Sequence, residues 1–164
     1  MVKTMAARHY DAKTFTSARS VGYLLKMSHS LMHDTMNSMF SGHDLSFMQW
    51  MVLMKIRESG SPTATDLCRA MRHDNGALTR LLDQLEERGF VQRERSEEDR
   101  RIVRLQLTAS GRRKVTELMP LTVECINTIL ADFSKAEFAE LTRLLDKLIL
   151  GATAAEQAAS AKAS

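Results

Sequence analysis

From about Thr14 to Phe40 the apolar residues Val21, Leu24, Leu25, Leu31, Met32, Met36 and Met39 return every three or four positions, the period of a helix. At 1.5 Å per residue such a helix is about 40 Å long. A single apolar stripe on so long a helix calls for another helix, or another chain, to cover it. Ser41-Gly42 ends it. Ser46 followed three residues later by Gln49 has capping-box spacing and opens a second helix through WMVLMKIRE, which stops at Ser59-Gly60. Pro62 precedes Thr63, and Thr63 with Asp66 repeats the pattern at the head of a short third helix, TATDLCRAM. Asp74 or Asn75 then caps a fourth helix that ends at Gly89. Its residues Leu78, Leu81, Leu82 and Leu85 share one face, while Asn75, Gly76, Thr79, Arg80 and Asp83 occupy the other.

The period then changes. FVQRER and IVRLQL have strand composition, with Val103, Leu105 and Leu107 alternating with Arg104 and Gln106 around a charged turn, SEEDRR. Helix resumes after Thr108, with an interruption expected at Pro120, and continues toward Ala131. A last helix starts near Ser134 and carries Phe138, Leu141, Leu145, Leu148 and Ile149 as its stripe. Residues 1–13 are polar and aperiodic and read as a flexible tail. Residues 151–164 have no large apolar side chain to bury and are expected to be disordered.

Composition narrows this picture in a few places. Aromatic residues make up 5% of the 164-residue chain while methionine contributes 11 residues, so the core is aliphatic and adaptable. The formal net charge of +3 is too small for bulk attraction to a polyanion, so any such attraction must come from local clustering. Cys68 and Cys125 lack metal-ligand spacing and point to a reducing, cytoplasmic setting. No apolar run reaches membrane-spanning length and the first residues lack the apolar block of a secretory signal. A glycine-rich phosphate loop, a nucleophile elbow and a sited carboxylate pair are all missing from the sequence, which argues against an enzyme. His29 and His33 stand at i and i+4, but two ligands without a third make no zinc site, and neither a metal nor a cofactor is expected.

Two helices joined by a short turn, the second with an exposed polar face, form a helix-turn-helix. The second of them has the width that the DNA major groove admits. Gly76 and Ala77 at its start let the backbone come close, and Asn75, Thr79 and Arg80 then reach base edges or phosphates. Between positions 88 and 104 there are six arginines (88, 93, 95, 100, 101 and 104) against four acids, Glu94, Glu97, Glu98 and Asp99. Charge alone reads as a solvated hairpin tip. Two adjacent arginines at such a tip also suit the negative potential of a minor groove, with Asp99 holding the shape of the turn.

The stretch DNGALTRLLDQLEERGFVQRERSEEDRRIVRLQLTASG resembles the MarR family of bacterial winged-helix regulators. The shared marks are the LTRLLDQLEERGFV run, the Asp-x-Arg element at Asp99 to Arg101, and the LTxxG from Leu107 to Gly111. The resemblance implies a mainly α fold with a small two- or three-stranded β wing, a winged helix-turn-helix over residues 46–107, and intertwined dimerisation helices from residues 14–45 and 108–150. It implies a homodimer on a near-palindromic double-stranded DNA operator, with half-sites about 34 Å apart. Asn75, Gly76, Ala77 and Arg80 match groove-facing positions, and Thr63 and Thr65 match phosphate-facing ones. Arg101 matches the wing arginine of the minor groove, Asp99 its brace, and Arg100 the variable residue between them.

Members of this family usually respond to a small molecule, often a phenol or aromatic carboxylate. The implied pocket lies where the dimer helices meet the DNA-binding lobe, at Ser28, His29, Met32, His33 and Met36, at Met48, Trp50 and Met51, and at Arg72. A polar hook on a Met-rich wall suits a flat aromatic acid, although methionines at helical spacing also serve as core or dimer interface. Three other readings stand beside a ligand-released repressor: a ligand-independent regulator, a redox-responsive one, and a winged-helix module that binds protein.

Overall fold

The computed structural model describes residues 8–163. The residues divide into two units, one reaching to Thr122 and the other beginning at Val123. In the first unit a 3-10 turn, Ser17–Arg19, leads into α1 (Val21–Phe40), α2 (Phe47–Ser59), α3 (Ala64–Met71) and α4 (Asn75–Glu87). An antiparallel hairpin follows, β1 (Val91–Arg95) paired with β2 (Val103–Leu107), and then α5 (Ala109–Ile129) begins. The second unit holds the end of α5 and α6 (Lys135–Ala163).

The local signals place the helix ends. Ser46 and Gln49 close a complete capping box on α2, and Thr63 and Asp66 close one on α3. Asp74 caps α4 by accepting the Ala77 N–H at 2.9 Å, and Gly89 leaves the helix with φ 71°. Ser134 accepts the Glu137 N–H at 3.2 Å at the head of α6, and the Glu137 carboxylate returns a bond to the Ser134 N–H at 2.9 Å. The N–H and hydroxyl of Thr63 donating to Asp66, and the hydroxyl and N–H of Ser134 donating to Glu137, hold both carboxyls below their ordinary range, because the ionised form is the better acceptor. The unfolded chain therefore takes up these protons first, so the stabilisation is complete above about pH 5 and is lost as the pH falls through the folded values. In melting experiments carried from neutral pH into acid, Asp66→Asn with Glu137→Gln should flatten the fall in Tm relative to the unmodified protein.

Three details differ from the sequence expectation. The first long helix begins at Val21 rather than Thr14, because Ser20 caps it and the Tyr10 hydroxyl accepts the Val21 N–H at 2.8 Å. Residues 1–7 of the segment expected to be a flexible tail lie outside the described residues, and within the described part Tyr10 meets Phe15 edge-on. Pro120 lies inside α5 without breaking it. Residues 151–163 continue α6 as helix instead of being disordered, as a run rich in alanine, the strongest helix former, permits.

One core joins the helix-turn-helix to its hairpin. Leu53, Ile56, Leu67, Leu78, Leu82, Leu85, Val91 and Leu105 are all buried. The sheet has two strands, and where a third would lie a single backbone bond runs from the Leu105 N–H to the Pro62 carbonyl at 2.8 Å. The LTxxG element closes the joint. Thr108 donates its hydroxyl to the Gly89 carbonyl at 2.6 Å and accepts the Gly111 N–H at 3.0 Å. A Cβ on Gly111 would stand 2.1 Å from the Phe90 carbonyl oxygen, a backbone atom that cannot swing aside. Gly111→Ala should thus cost about 3 kcal/mol of unfolding free energy in urea titrations, the upper end for an overpacked site.

Candidate nucleic-acid interface

α3 and α4 are joined by Arg72, His73 and Asp74. Arg72 turns the chain in the left-handed region (φ 47°), its N–H bonded to the carbonyls of Cys68 and Arg69. The buried face of α4 is Leu78, Leu82 and Leu85, which leaves Asn75, Gly76, Thr79 and Arg80 exposed on the other side, with Ala77 half-buried. Gly76 is confined by the cap itself, since a Cβ there would meet Asp74 Oδ1 at 3.3 Å. Thr79 spends its hydroxyl on the Asn75 carbonyl at 2.8 Å, so it presents chiefly its methyl group. Thr63 is the α3 cap, with its hydroxyl 2.7 Å from Asp66 Oδ2, and Thr65 is exposed on the first turn.

The hairpin tip is ordered by its own backbone. Asp99 Oδ1 accepts the Arg101 N–H at 2.9 Å, the Asp99 carbonyl accepts the Ile102 N–H at 2.9 Å, and the Ile102 carbonyl accepts the Ser96 N–H at 2.9 Å. Asp99 thereby points Arg100 and Arg101 outward, and both side chains are exposed.

The six arginines are not equivalent. Arg93 bridges Asp83 and Glu86, with Nη2 2.7 Å from Asp83 Oδ1, and these acids raise its pKa further. The bridge fastens β1 to α4, the helix with the exposed polar face. Arg104 donates to the Ser61 carbonyl at 3.0 Å, tying β2 to the connection between α2 and α3. Arg88 lies 5.1 Å over the Phe90 ring and reaches Gln49, which itself bonds Gln84 on α4 at 2.9 Å. Sequence reasoning counted all six as one basic cluster and missed the roles of Arg93 and Arg104. The available signal was faint: Asp83 and Glu86 at i and i+3 on α4 offer one fork to a guanidinium. Arg95, Arg100 and Arg101 remain as the outward cations of the hairpin.

The residues expected to form an effector pocket do not all converge within one chain. Met36 and Trp50 are buried in the core at 2% and 4% exposure, and the Trp50 indole donates to the Val115 carbonyl at 3.3 Å. Met48 and Met51 are half-buried, and Arg72 sits at the turn before α4. Ser28, His29 and Met32 are exposed on α1, and the His29 ring stacks on half-buried His33 at 6.1 Å. Among the described residues no three histidine, cysteine or acidic side chains gather as metal ligands. Cys68 and Cys125 are free thiols, and burial pushes the Cys125 pKa up, away from the reactive thiolate.

Comparison with known proteins agrees with this geometry. The model of the MarR family matches residues 45–103, which span α2 to the start of β2. The regulator PecS of Dickeya dadantii is 32% identical over 131 residues, covering 78% of each chain. The chain belongs to the MarR family. The repressor MprA of Escherichia coli is 27% identical over 151 residues, covering 91% of this chain and 85% of its own. MarR of E. coli, solved as a cysteine-to-serine mutant complexed with operator DNA, aligns with a TM-score of 0.71 at 30% identity over 77% of this chain and 91% of that one. BpsR of Bordetella bronchiseptica aligns with a TM-score of 0.74 over 82% of this chain and 96% of its own, and at 23% identity it speaks for the fold alone. As a MarR-family member the chain is a winged-helix transcriptional regulator and not an enzyme. Among the described residues no helix is long and apolar enough to cross a membrane.

Proposed function

We propose that the protein is a homodimeric repressor that binds a near-palindromic DNA operator through α4 and the wing and is released by a small aromatic effector. One observation carries the DNA-binding part: the exposed polar face of α4 and the outward arginines of the hairpin are locked together by the Arg93 bridge to Asp83 and Glu86. Asn75, Gly76, Ala77 and Arg80 then address base edges, with Thr79 packing by its methyl group. Thr65, exposed on the first turn of α3, meets a phosphate, and Thr63, whose hydroxyl and N–H are engaged by Asp66, holds that turn at the phosphate-facing position. Arg101 enters the minor groove, Arg100 flanks it, and Asp99 keeps the tip in shape. PecS, MprA and operator-bound MarR support this assignment as relatives of matching length and fold.

Homodimerisation is supported by apolar side chains left open in each unit. α1 exposes Leu24 at 52% and Leu31 at 61%, while α6 exposes Ile149 at 62% and Leu150 at 72%. Helix faces of this kind are covered by a second copy of the chain in a closed two-fold assembly. The effector part rests on the α1 face, where His29 or His33 serves as a hook for a carboxylate beside Ser28, Met32 and the Met36 and Trp50 floor.

The test is binding of the purified protein to the promoter region of its own gene across a salt series. Affinity should fall steeply with salt, as it does when a protein displaces counterions from several phosphates, and footprinting should reveal two half-sites. Flat salt dependence, or binding without a protected repeat, would overturn the assignment.

A further inference from the structure

We infer that a second small-molecule site lies on the first unit, in a groove of about 500 Å³ between the end of α2, β2 and the start of α5, and that it takes a small organic anion with an apolar body. The volume falls in the range of small-ligand sites. The floor is apolar: Ile56 and Leu107 reach it at 1% and 6% exposure. The rim is cationic and holds no acid, with Arg57 from α2 and Arg112 from α5 as its charged groups. Arg112 is tethered through Nη1, which donates to the Leu107 carbonyl at 2.6 Å, and among the described residues its guanidinium makes no second hydrogen bond. A planar fork of this kind matches a carboxylate, whereas Gln106 and Thr116 line the groove with their donors already engaged, by Glu94 at 2.8 Å and by the Arg112 carbonyl at 3.1 Å. None of the residues expected for the α1 face lines this groove.

The position gives occupancy a consequence, which rests on the DNA-binding reading above. Gly60 and Ser61 of the rim lead directly into Pro62 and the Thr63 cap of α3, and Leu107 and Gln106 belong to the wing strand β2. Between them runs the bond from Leu105 to Pro62 that stitches the wing to the helix-turn-helix. A ligand seated here therefore bears on both DNA-contacting elements at their joint, and it shifts operator binding by its differential affinity for the two arrangements.

The experiment is a titration of the full-length protein with benzoate, acetate and inorganic phosphate, read by calorimetry and by amide chemical shifts. Benzoate should bind and shift the amides of Ile56, Leu107 and Thr116, with acetate and phosphate at least about 10-fold weaker because they lack an apolar body. Arg57→Glu, at an exposed position, should weaken benzoate by about 10-fold or more while leaving the thermal melt unchanged. Three results would overturn the site: no benzoate binding, shifts confined to His29 and His33, or equal affinity in Arg57→Glu. Phosphate binding as tightly as benzoate would overturn the ligand class. Operator binding by ligand-free protein is measured in parallel, so that a failure of the DNA-binding reading is seen separately from a failure of the groove.

Discussion

Arg101→Ala is expected to weaken operator binding by about 100-fold, while leaving the protein folded. The side chain is exposed at the hairpin tip, and the bond that orders that tip is made by the Arg101 backbone N–H, which alanine retains. A dimer presents two such wings, and each guanidinium in a minor groove contributes on the order of 1–1.5 kcal/mol, so both together account for about two decades of affinity. The loss should be similar for every operator sequence, and the slope of log affinity against log salt should drop by about 2. Arg80→Ala should behave differently, shifting which operators are preferred because it removes a base-edge contact. Asp99→Ala should fall between wild type and Arg101→Ala, since it loosens the turn without removing a cation. Fluorescence anisotropy with a labelled operator across a salt series separates these cases. Unchanged affinity for Arg101→Ala would refute the wing assignment.

The second large effect concerns assembly. Leu148→Asp combined with Ile149→Asp should convert the dimer to monomer and abolish operator binding at working concentrations. Both side chains are exposed in the single chain, at 40% and 62%, so the fold of one protomer does not depend on them. In a two-fold assembly each substitution counts twice. Four buried aliphatic side chains at about 1.5 kcal/mol or more apiece amount to about 6 kcal/mol, or roughly a 10⁴-fold weaker dimer. The aspartates add a desolvation cost on top. Light scattering coupled to size exclusion should show the protomer mass, with helical circular dichroism retained. A dimer that survives the double substitution would place the interface elsewhere. A monomer that still held the operator at full affinity would break the link between assembly and DNA binding.

The elements that were legible in the sequence share a physical origin. The capping boxes of Ser46 with Gln49 and of Thr63 with Asp66, the Asp74 cap and the stripe Leu78, Leu82, Leu85 are all interactions within four residues or repeats of the helical period. Short range along the chain is short range in space inside a helix, so these features are visible before any tertiary structure exists. The Asp99 brace was legible for the same reason, because an acid that bonds a backbone N–H two residues on is a local turn device. The tail erred in the opposite direction. Its lack of large apolar residues was read as a lack of order, when helix propensity along GATAAEQAASAKA was the applicable signal.

What tertiary structure decided is the use of each charge and each small residue. Arg93, Arg95 and Arg101 are alike in sequence, yet one is consumed by Asp83 and Glu86 and two face outward. Arg104 is committed to a carbonyl 43 residues away, at Ser61. A guanidinium takes whichever acceptor the packed chain brings to it, and nothing near it in sequence names that acceptor. The glycine of LTxxG likewise reads as a motif letter until the Phe90 carbonyl is seen to occupy the space of its Cβ. The boundaries of α2, α3 and α4, the winged order of elements and the basic hairpin were thus set by the sequence alone, through local hydrogen bonds and period. The division of the basic residues into those that hold the wing and those that face outward came only from long-range packing.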